Sequence, residues 1–180
     1  MRVISGQWRG RRLQAPRGEA VRPTTDRVKE ALFNILGPDV TGCHCLDLCC
    51  GSGGLGIEAL SRGAREAVFV DKAPQSLEAT RNNLAACGAD ASTWEVVRSD
   101  AAVWLSGWTP PEDGTPWILL ADPPYRSDLA RAIMEQVGQW SDRPGFVAAV
   151  VEVGRDTPGM DNPTWETRRY GESILAILRP

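Results

Sequence analysis

Long apolar runs are missing from this 180-residue chain. The longest, near Phe146 to Val151, is far short of the ~20 residues that a membrane-crossing helix needs. Met1-Arg2-Val3-Ile4-Ser5-Gly6 has no apolar signal core, so a cytoplasmic protein with no membrane partner is expected. Histidine is nearly missing too, His44 being the only one. Cysteines at 43, 45, 49, 50 and 87 do not read as a disulfide framework in such a chain. Cys43-His44-Cys45 with Cys49-Cys50 matches no zinc spacing. These thiols straddle the apolar run Cys45-Leu46-Asp47-Leu48 and suit a buried strand; no metal is expected. There is no internal repeat, low-complexity segment or interdomain linker, and one domain over 1–180, acting as a monomer, is expected.

What is present is an ordinary globular composition, 42% hydrophobic and 24% charged. The charge is uneven. Residues 1–29 hold Arg2, Arg9, Arg11, Arg12, Arg17, Arg22, Arg27 and Lys29 against Glu19 and Asp26, a net +6 in a chain whose total is −3. A basic head on an acidic body fits a polyanion contact, or equally a solvated charged hairpin.

Periodicity supplies the organisation. Residues 2–14 read as a short hairpin and Pro16 to Pro23 as a loop, so 1–23 forms a basic arm and 24–180 the core. Thr24 or Thr25 caps a helix from Asp26, whose Val28, Ala31, Leu32 and Ile35 keep helical spacing, and Gly37-Pro38 stops it. Apolar strands follow at Cys43–Leu48, Ala67–Val70, Ser92–Val97, Trp117–Ala121 and Phe146–Glu152. Helical patterns lie between them at Gly54–Ser61, Pro74–Cys87, Ala101–Leu105 and Ser127–Trp140. That alternation predicts an α/β fold with a mostly parallel sheet covered on both faces. Thr164–Arg169 and Ser173–Leu178, joined at Tyr170-Gly171-Glu172, predict a C-terminal antiparallel hairpin.

Asp122-Pro123-Pro124-Tyr125 ends the apolar run Trp117–Ala121. Two prolines fix φ and remove two N–H donors. The result is a rigid corner with an acid, backbone carbonyls and a flat ring. Such a corner suits a planar amino group: the acid and a carbonyl accept its N–H bonds while the ring stacks. A plain strand exit would also use these residues.

Gly51, Gly53 and Gly56 form G-x-G-x-x-G between a strand and a helix, with Ser52 and Leu55 inside the turn. Asp71, followed by Lys72, ends the second strand twenty residues after Gly51, where an acid accepts from ribose hydroxyls. Asp47 precedes the loop, where it would pair with a cationic amino group and repel a pyrophosphate. Asp100, followed by Ala101, ends the third strand, where it can accept from an adenine amino group. Asp122 ends the fourth. Four acids at four strand ends suit a ligand carrying a sulfonium and an ammonium better than one carrying phosphates.

On these residues the chain resembles the class I S-adenosylmethionine-dependent methyltransferases, and within them the RsmD group. The match is carried by Val3–Leu13, by Arg22-Pro23-Thr24-Thr25-Asp26-Arg27-Val28-Lys29-Glu30-Ala31-Leu32-Phe33-Asn34, by Leu46–Ala64, and by Asp122-Pro123-Pro124-Tyr125. It departs at Cys49-Cys50, where that group more often has Phe-Ala. The resemblance implies a Rossmann-like, seven-stranded methyltransferase that modifies the exocyclic N2 of a guanine (guanine 966) in 16S ribosomal RNA, free or in an assembling small subunit. It implies catalytic roles for Asp122, Pro123, Pro124 and Tyr125. Cofactor contacts fall to Asp47, Gly51, Ser52, Gly53, Leu55, Gly56, Asp71, Lys72, Asp100, Ala101 and Asp122. Phosphate contacts fall to Arg9, Arg11, Arg12 and Arg22, with Trp8 stacking on a base or anchoring the arm. Other readings stay open: adenine N6 or another amino group as acceptor, an NAD-dependent oxidoreductase (for which no hydride-transfer acid is evident), or a non-catalytic RNA-binding assembly factor.

Overall fold

A computed structural model describes residues 1–16, 25–111, 114–125, 127–155, 157 and 163–180. The elements run α1 (Asp26–Leu36), a 3-10 turn (Gly37–Val40), β1 (His44–Leu48), α2 (Gly54–Ser61), β2 (Glu66–Asp71) and α3 (Pro74–Cys87). They continue with β3 (Trp94–Arg98), α4 (Ala101–Gly107), β4 (Trp117–Ala121), α5 (Leu129–Gly138), β5 (Phe146–Val153), β6 (Glu166–Tyr170) and β7 (Ser173–Leu178). One seven-stranded sheet has the order β3-β2-β1-β4-β5-β7-β6. β1 to β5 are parallel, and β7 is antiparallel to both β5 and β6. This is the mostly parallel sheet with a terminal antiparallel hairpin that the alternation predicted.

The order reverses between β1 and β4. From β1 the chain winds outward to β2 and β3, then returns to the other side of β1. At such a switch point the connections after adjacent strands diverge and leave a crevice at their carboxyl ends. Each central strand is apolar on both sides because both faces are covered. Cys45, Ile118 and Ala148 face the layer of α1, α2 and α3. Leu46, Leu48, Leu119 and Ala149 face that of α4 and α5. The second layer carries an aromatic cluster in which Trp117 lies 4.9 Å from Phe146 and 5.2 Å from Trp108, ring to ring.

Element boundaries shift where side chains compete for the backbone. β3 starts at Trp94 rather than Ser92, because Asp90 accepts from Ser92 N and closes a 3-10 turn over Ala91–Thr93. α5 starts at Leu129 rather than Ser127, whose N–H and hydroxyl both bond the Pro124 carbonyl. Thr25 caps α1 through Val28 N. The loop expected at Pro16 to Pro23, with Arg22 and Thr24, falls almost wholly within 17–24, outside the described residues.

The N-terminal arm is the expected hairpin in reduced form: one Arg2–Arg12 bridge, with Val3 N on Arg11 O, Gly10 N on Val3 O and Leu13 N on Met1 O, joins its two sides. Four of its other backbone donors go to α2. Ile4 N and Ser5 N bond the two carboxylate oxygens of Glu58 at 2.7 and 2.9 Å. Gln7 N bonds Ser61 O at 2.8 Å, and Trp8 N bonds Ser61 Oγ at 3.0 Å. A regular ladder would have to give these up. Gly6, at φ 82°, permits the approach: a Cβ there would stand 1.8 Å from Ser61 O.

Lys29, counted above with the basic head, is not on the surface. It is fully buried, donates to Arg2 O, and lies 3.6 Å from the equally buried Glu58. Glu58 also takes Arg62 Nε at 2.8 Å. Burial pushes the Lys29 ammonium below its usual range, while Glu58 and Asp26 pull it back up. Removing one member of a buried pair strands the other and costs ~3–5 kcal/mol. Glu58→Ala is therefore expected to lower unfolding stability by about that much and, by releasing the arm's backbone, to speed trypsin cleavage at Arg9, Arg11 and Arg12. Urea melts and limited proteolysis check both.

Candidate cofactor and methyl-transfer site

A cavity of about 360 Å³ opens at the carboxyl ends of β1 to β4. Gly51, Asp71, Lys72, Asp100, Ala101, Asp122 and Pro124, all singled out in the sequence, line it. Cys49, Ala73, Ser76, Ser127 and Leu129 line it too and were not anticipated. Three of these, Ala73, Ser76 and Leu129, lie at or before the first turns of α3 and α5, which a topological rule alone could have flagged.

The strand ends are laced together by backbone bonds. Cys50 N donates to Val70 O, Ser99 N to Asp71 O, and Asp122 N to Leu48 O. Asp71 joins the glycine loop to the next connection: one oxygen accepts from Gly51 N and the other from Ala73 N, each at 2.9 Å. Asp100 caps α4, with Ala102 N and Val103 N both on Oδ1. α3 supports the loop from below. Thr80 Oγ1 donates to Gly51 O at 2.9 Å. Asn83 Nδ2 donates to Ser52 O at 2.9 Å, and Asn83 also ties down Gln14 of the arm. Thr80 and Asn83 gave no sequence signal, since polar residues on a helix ordinarily face solvent.

Ser52, Gly53, Leu55 and Gly56 are buried in the wall behind the cavity. Gly56 is required there by packing: a Cβ would stand 2.4 Å from the Phe69 ring. Asp47 is 1% exposed and accepts from Gly56 N at 2.8 Å, so it holds the start of α2 from behind the loop. Burial pushes its carboxyl well above the usual range; Gly56 N opposes this, and Asp122 and Asp71 add like-charge repulsion. The Cys49 thiol reports the same field. Burial raises it first, then the four acids Asp71, Asp122, Asp47 and Asp100. Asp71, Asp100 and Asp122 line one cavity with Asp47 buried close by, and a cationic ligand relieves their repulsion. The sulfonium and ammonium of S-adenosylmethionine fit that demand.

At the Asp122–Tyr125 corner Pro123 is buried, Pro124 exposed and Tyr125 half-buried. The Tyr125 phenol points away from solvent and donates to Glu152 Oε1 at 2.6 Å. Among the described residues no group of three or more His, Cys, Asp or Glu side chains is placed to hold a metal, and no helix is long and apolar enough to cross a membrane.

The arm's basic residues are not gathered at the cavity. Arg9, Arg11 and Arg12 are exposed. The tip carrying Trp8 and Arg9 is bonded to Ser61, the last residue of α2, whereas the glycine loop precedes its first. Trp8 packs partly against the core of the α1–α3 layer.

The chain matches the model of the family described as "Conserved hypothetical protein 95" over residues 1–179. It is 41% identical to the protein YlbH of Bacillus subtilis (strain 168), over 99% of this chain and 98% of that one. It is 40% identical to the "Ribosomal RNA small subunit methyltransferase D" of Escherichia coli (strain K12), over 87% of this chain and 78% of that one. Among solved structures, a hypothetical protein of Thermus thermophilus superposes with a TM-score of 0.80 at 27% identity, covering 100% of this chain and 99% of the other.

Asp47→Asn keeps the acceptor for Gly56 and removes one charge. Because the folded carboxyl titrates above its ordinary value of 3.8, ionising it costs stability increasingly as pH rises above that value. The variant is expected to melt higher than the parent near pH 8, by about 2–4 °C per kcal/mol recovered, with the gap closing as pH falls towards 4. Cofactor affinity should fall about tenfold, or ~1.4 kcal/mol. Thermal melts across pH and calorimetric titration check the two halves.

Proposed function

The chain belongs to the family described as Conserved hypothetical protein 95, the RsmD group, and from that membership we propose that it methylates the exocyclic N2 of a guanine, of the guanine 966 type, in 16S ribosomal RNA. It is an S-adenosylmethionine-dependent methyltransferase of Rossmann-like fold. What supports an amino group as the acceptor is that Asp122 and Pro124 line the same cavity as Asp71 and Asp100; the choice of guanine rests on the family. The Asp122–Tyr125 corner would then present the acceptor to the cofactor.

The cofactor supplies, when bound, a methyl group activated on a sulfonium. Asp71 would take the ribose hydroxyls, since both its oxygens keep lone pairs beyond their single amide bonds. Asp100 would take the adenine amino group, its two amide donors both lying on one oxygen. Asp47 contributes charge from behind the loop. Asp122 and the Pro123 carbonyl would accept the two N–H bonds of the guanine amino group. That draws the nitrogen lone pair out of conjugation and aims it across the cavity. Fixing two reactants in line supplies on the order of several kcal/mol of the barrier reduction. No strong base is needed, because the amine proton becomes acidic as N2 gains a methyl, and a carboxylate or water removes it. Tyr125 would stack on the base, for ~1–3 kcal/mol. The base must first be splayed out of its RNA context.

The direct test is methyl transfer from labelled S-adenosylmethionine to 16S RNA and to partly assembled small subunits, followed by nucleoside analysis. N2-methylguanosine is expected, with Asp122→Ala lowering its rate by ~100-fold or more. N6-methyladenosine instead would transfer the assignment to an adenine amino group. Full function of Asp122→Ala in cells would favour a non-catalytic assembly factor.

Arg9, Arg11 and Arg12, with Arg22, are proposed as phosphate contacts. Each Arg→Ala change among the first three is expected to weaken RNA binding without altering sequence preference and to reduce the salt slope by about 1. Filter binding at several salt concentrations measures this.

A further inference from the structure

Glu152 is a buried acid that the mechanism above does not use. It lies near the carboxyl end of β5 and is 3% exposed. β4 and β5 pair with Ala121 beside Val151, so Glu152 stands level with Asp122. One carboxylate oxygen, Oε1, carries both of its bonds: the Tyr125 phenol donates to it at 2.6 Å and the Ser173 hydroxyl at 2.7 Å. The two hydroxyls are 3.0 Å apart, closing a triangle. The other oxygen, Oε2, is buried with no hydrogen-bond partner among the described residues.

A buried carboxylate with one oxygen unmatched is a cost that packing alone does not justify, since an apolar residue of similar volume would fill the site more cheaply. What this acid does hold is the phenol of the corner. The clamp has a second jaw. Gly154, two residues further along, lies against the Tyr125 ring so closely that a Cβ there would stand 2.9 Å from Tyr125 Cγ and 3.0 Å from its Cβ. Ser173 opens β7, so the C-terminal hairpin supplies the third support. Burial and the bond to Glu152 both raise the Tyr125 phenol above its usual range, so it stays a donor across the working pH.

We propose that Glu152, with Ser173 and Gly154, positions the substrate corner: it fixes the Tyr125 ring before the base arrives, and through the rigid prolines it fixes the Asp122 carboxylate as well. Glu152 touches neither cofactor nor base; it is a positioning residue, and its role rests on the function proposed above. Preorganised groups hold reactive geometry only when their own supports are locked, and a displacement of about 1 Å is worth on the order of a hundredfold in rate.

The test is a double-mutant cycle on the full chain with Glu152→Leu, which removes the acceptor at similar volume, and Tyr125→Phe. Each single change is expected to lower kcat on the order of tenfold while leaving cofactor affinity unchanged. The double variant should be no worse than the poorer single one, because both remove the same link. Gly154→Ala, which displaces the ring without touching the acid, should lower kcat in the same way. Additive losses, or full kcat in Glu152→Leu, would overturn the proposal. A second readout does not depend on activity. The chain has two tyrosines, so in a Tyr170→Phe background the Tyr125 phenolic proton is observable alone by NMR. It should exchange slowly in the parent and shift or vanish in Glu152→Leu; a signal indifferent to that change would also overturn the proposal. If the parent enzyme methylates a nucleoside other than guanosine, the cycle is read on that product, so the guanine reading and this one fail separately.

Discussion

The fold turns on where the Glu58 carboxylate is held. It sits on α2, the helix that begins at the glycine loop, and it gathers Ile4 and Ser5 of the arm, Lys29 of α1 and Arg62 at the end of α2 itself. Without it, two backbone N–H groups lose their partner and a buried ammonium its counter-ion. The arm could recover its donors by closing as an ordinary hairpin, but it would then leave α2. The helix that fixes Gly56 beneath Phe69 would lose one side of its packing. A buried ion pair is a poor source of net stability. Here it acts as a register device: only one placement of arm, α1 and α2 satisfies all its partners together.

That framework lets the site tolerate its own electrostatics. Four carboxylates at adjacent strand ends repel one another, and Asp47 has the most burial to contend with. The cost is contained because three of them are engaged by backbone amides: Asp47 by Gly56, Asp71 by Gly51 and Ala73, Asp100 by Ala102 and Val103. Each bond also fixes a turn. The same groups therefore shape the loop, cap the helices and create a field that a cationic ligand satisfies. A helix cap and a ligand contact are not rival explanations for Asp100 or Asp71, since one side chain can do both.

Legibility in the sequence followed range. The glycine loop, the acids after β2, β3 and β4, and the Asp-Pro-Pro-Tyr corner were readable because each rests on residues a few positions apart. Strand and helix order was readable because buried parallel strands are nearly continuous apolar runs. Lys29 and Glu58 were not, because a charged residue in an amphipathic helix pattern reads as surface until the partner 29 residues away is known. The support under Tyr125 was equally hidden. Glu152 and Ser173 lie 27 and 48 residues further on, and Glu152 ends what looks like an ordinary core strand. The arm's hairpin was legible from its turn residues, but not that α2 would take four of its backbone donors.

The arm's placement also constrains how RNA can be read. α2 spans eight residues, or about 12 Å of helix. The arm tip is fixed at its far end, while the amino-group corner lies beyond its near end. On the proposed function, Arg9 and the reacting base would then sit towards opposite ends of α2. Contacts from the tip would fall on the phosphate backbone away from the splayed base, and such contacts set register rather than identity. Identity would be left to the few groups at the corner, which is why their rigidity matters. The arm would decide which part of the RNA is presented, and the corner which atom of it is methylated.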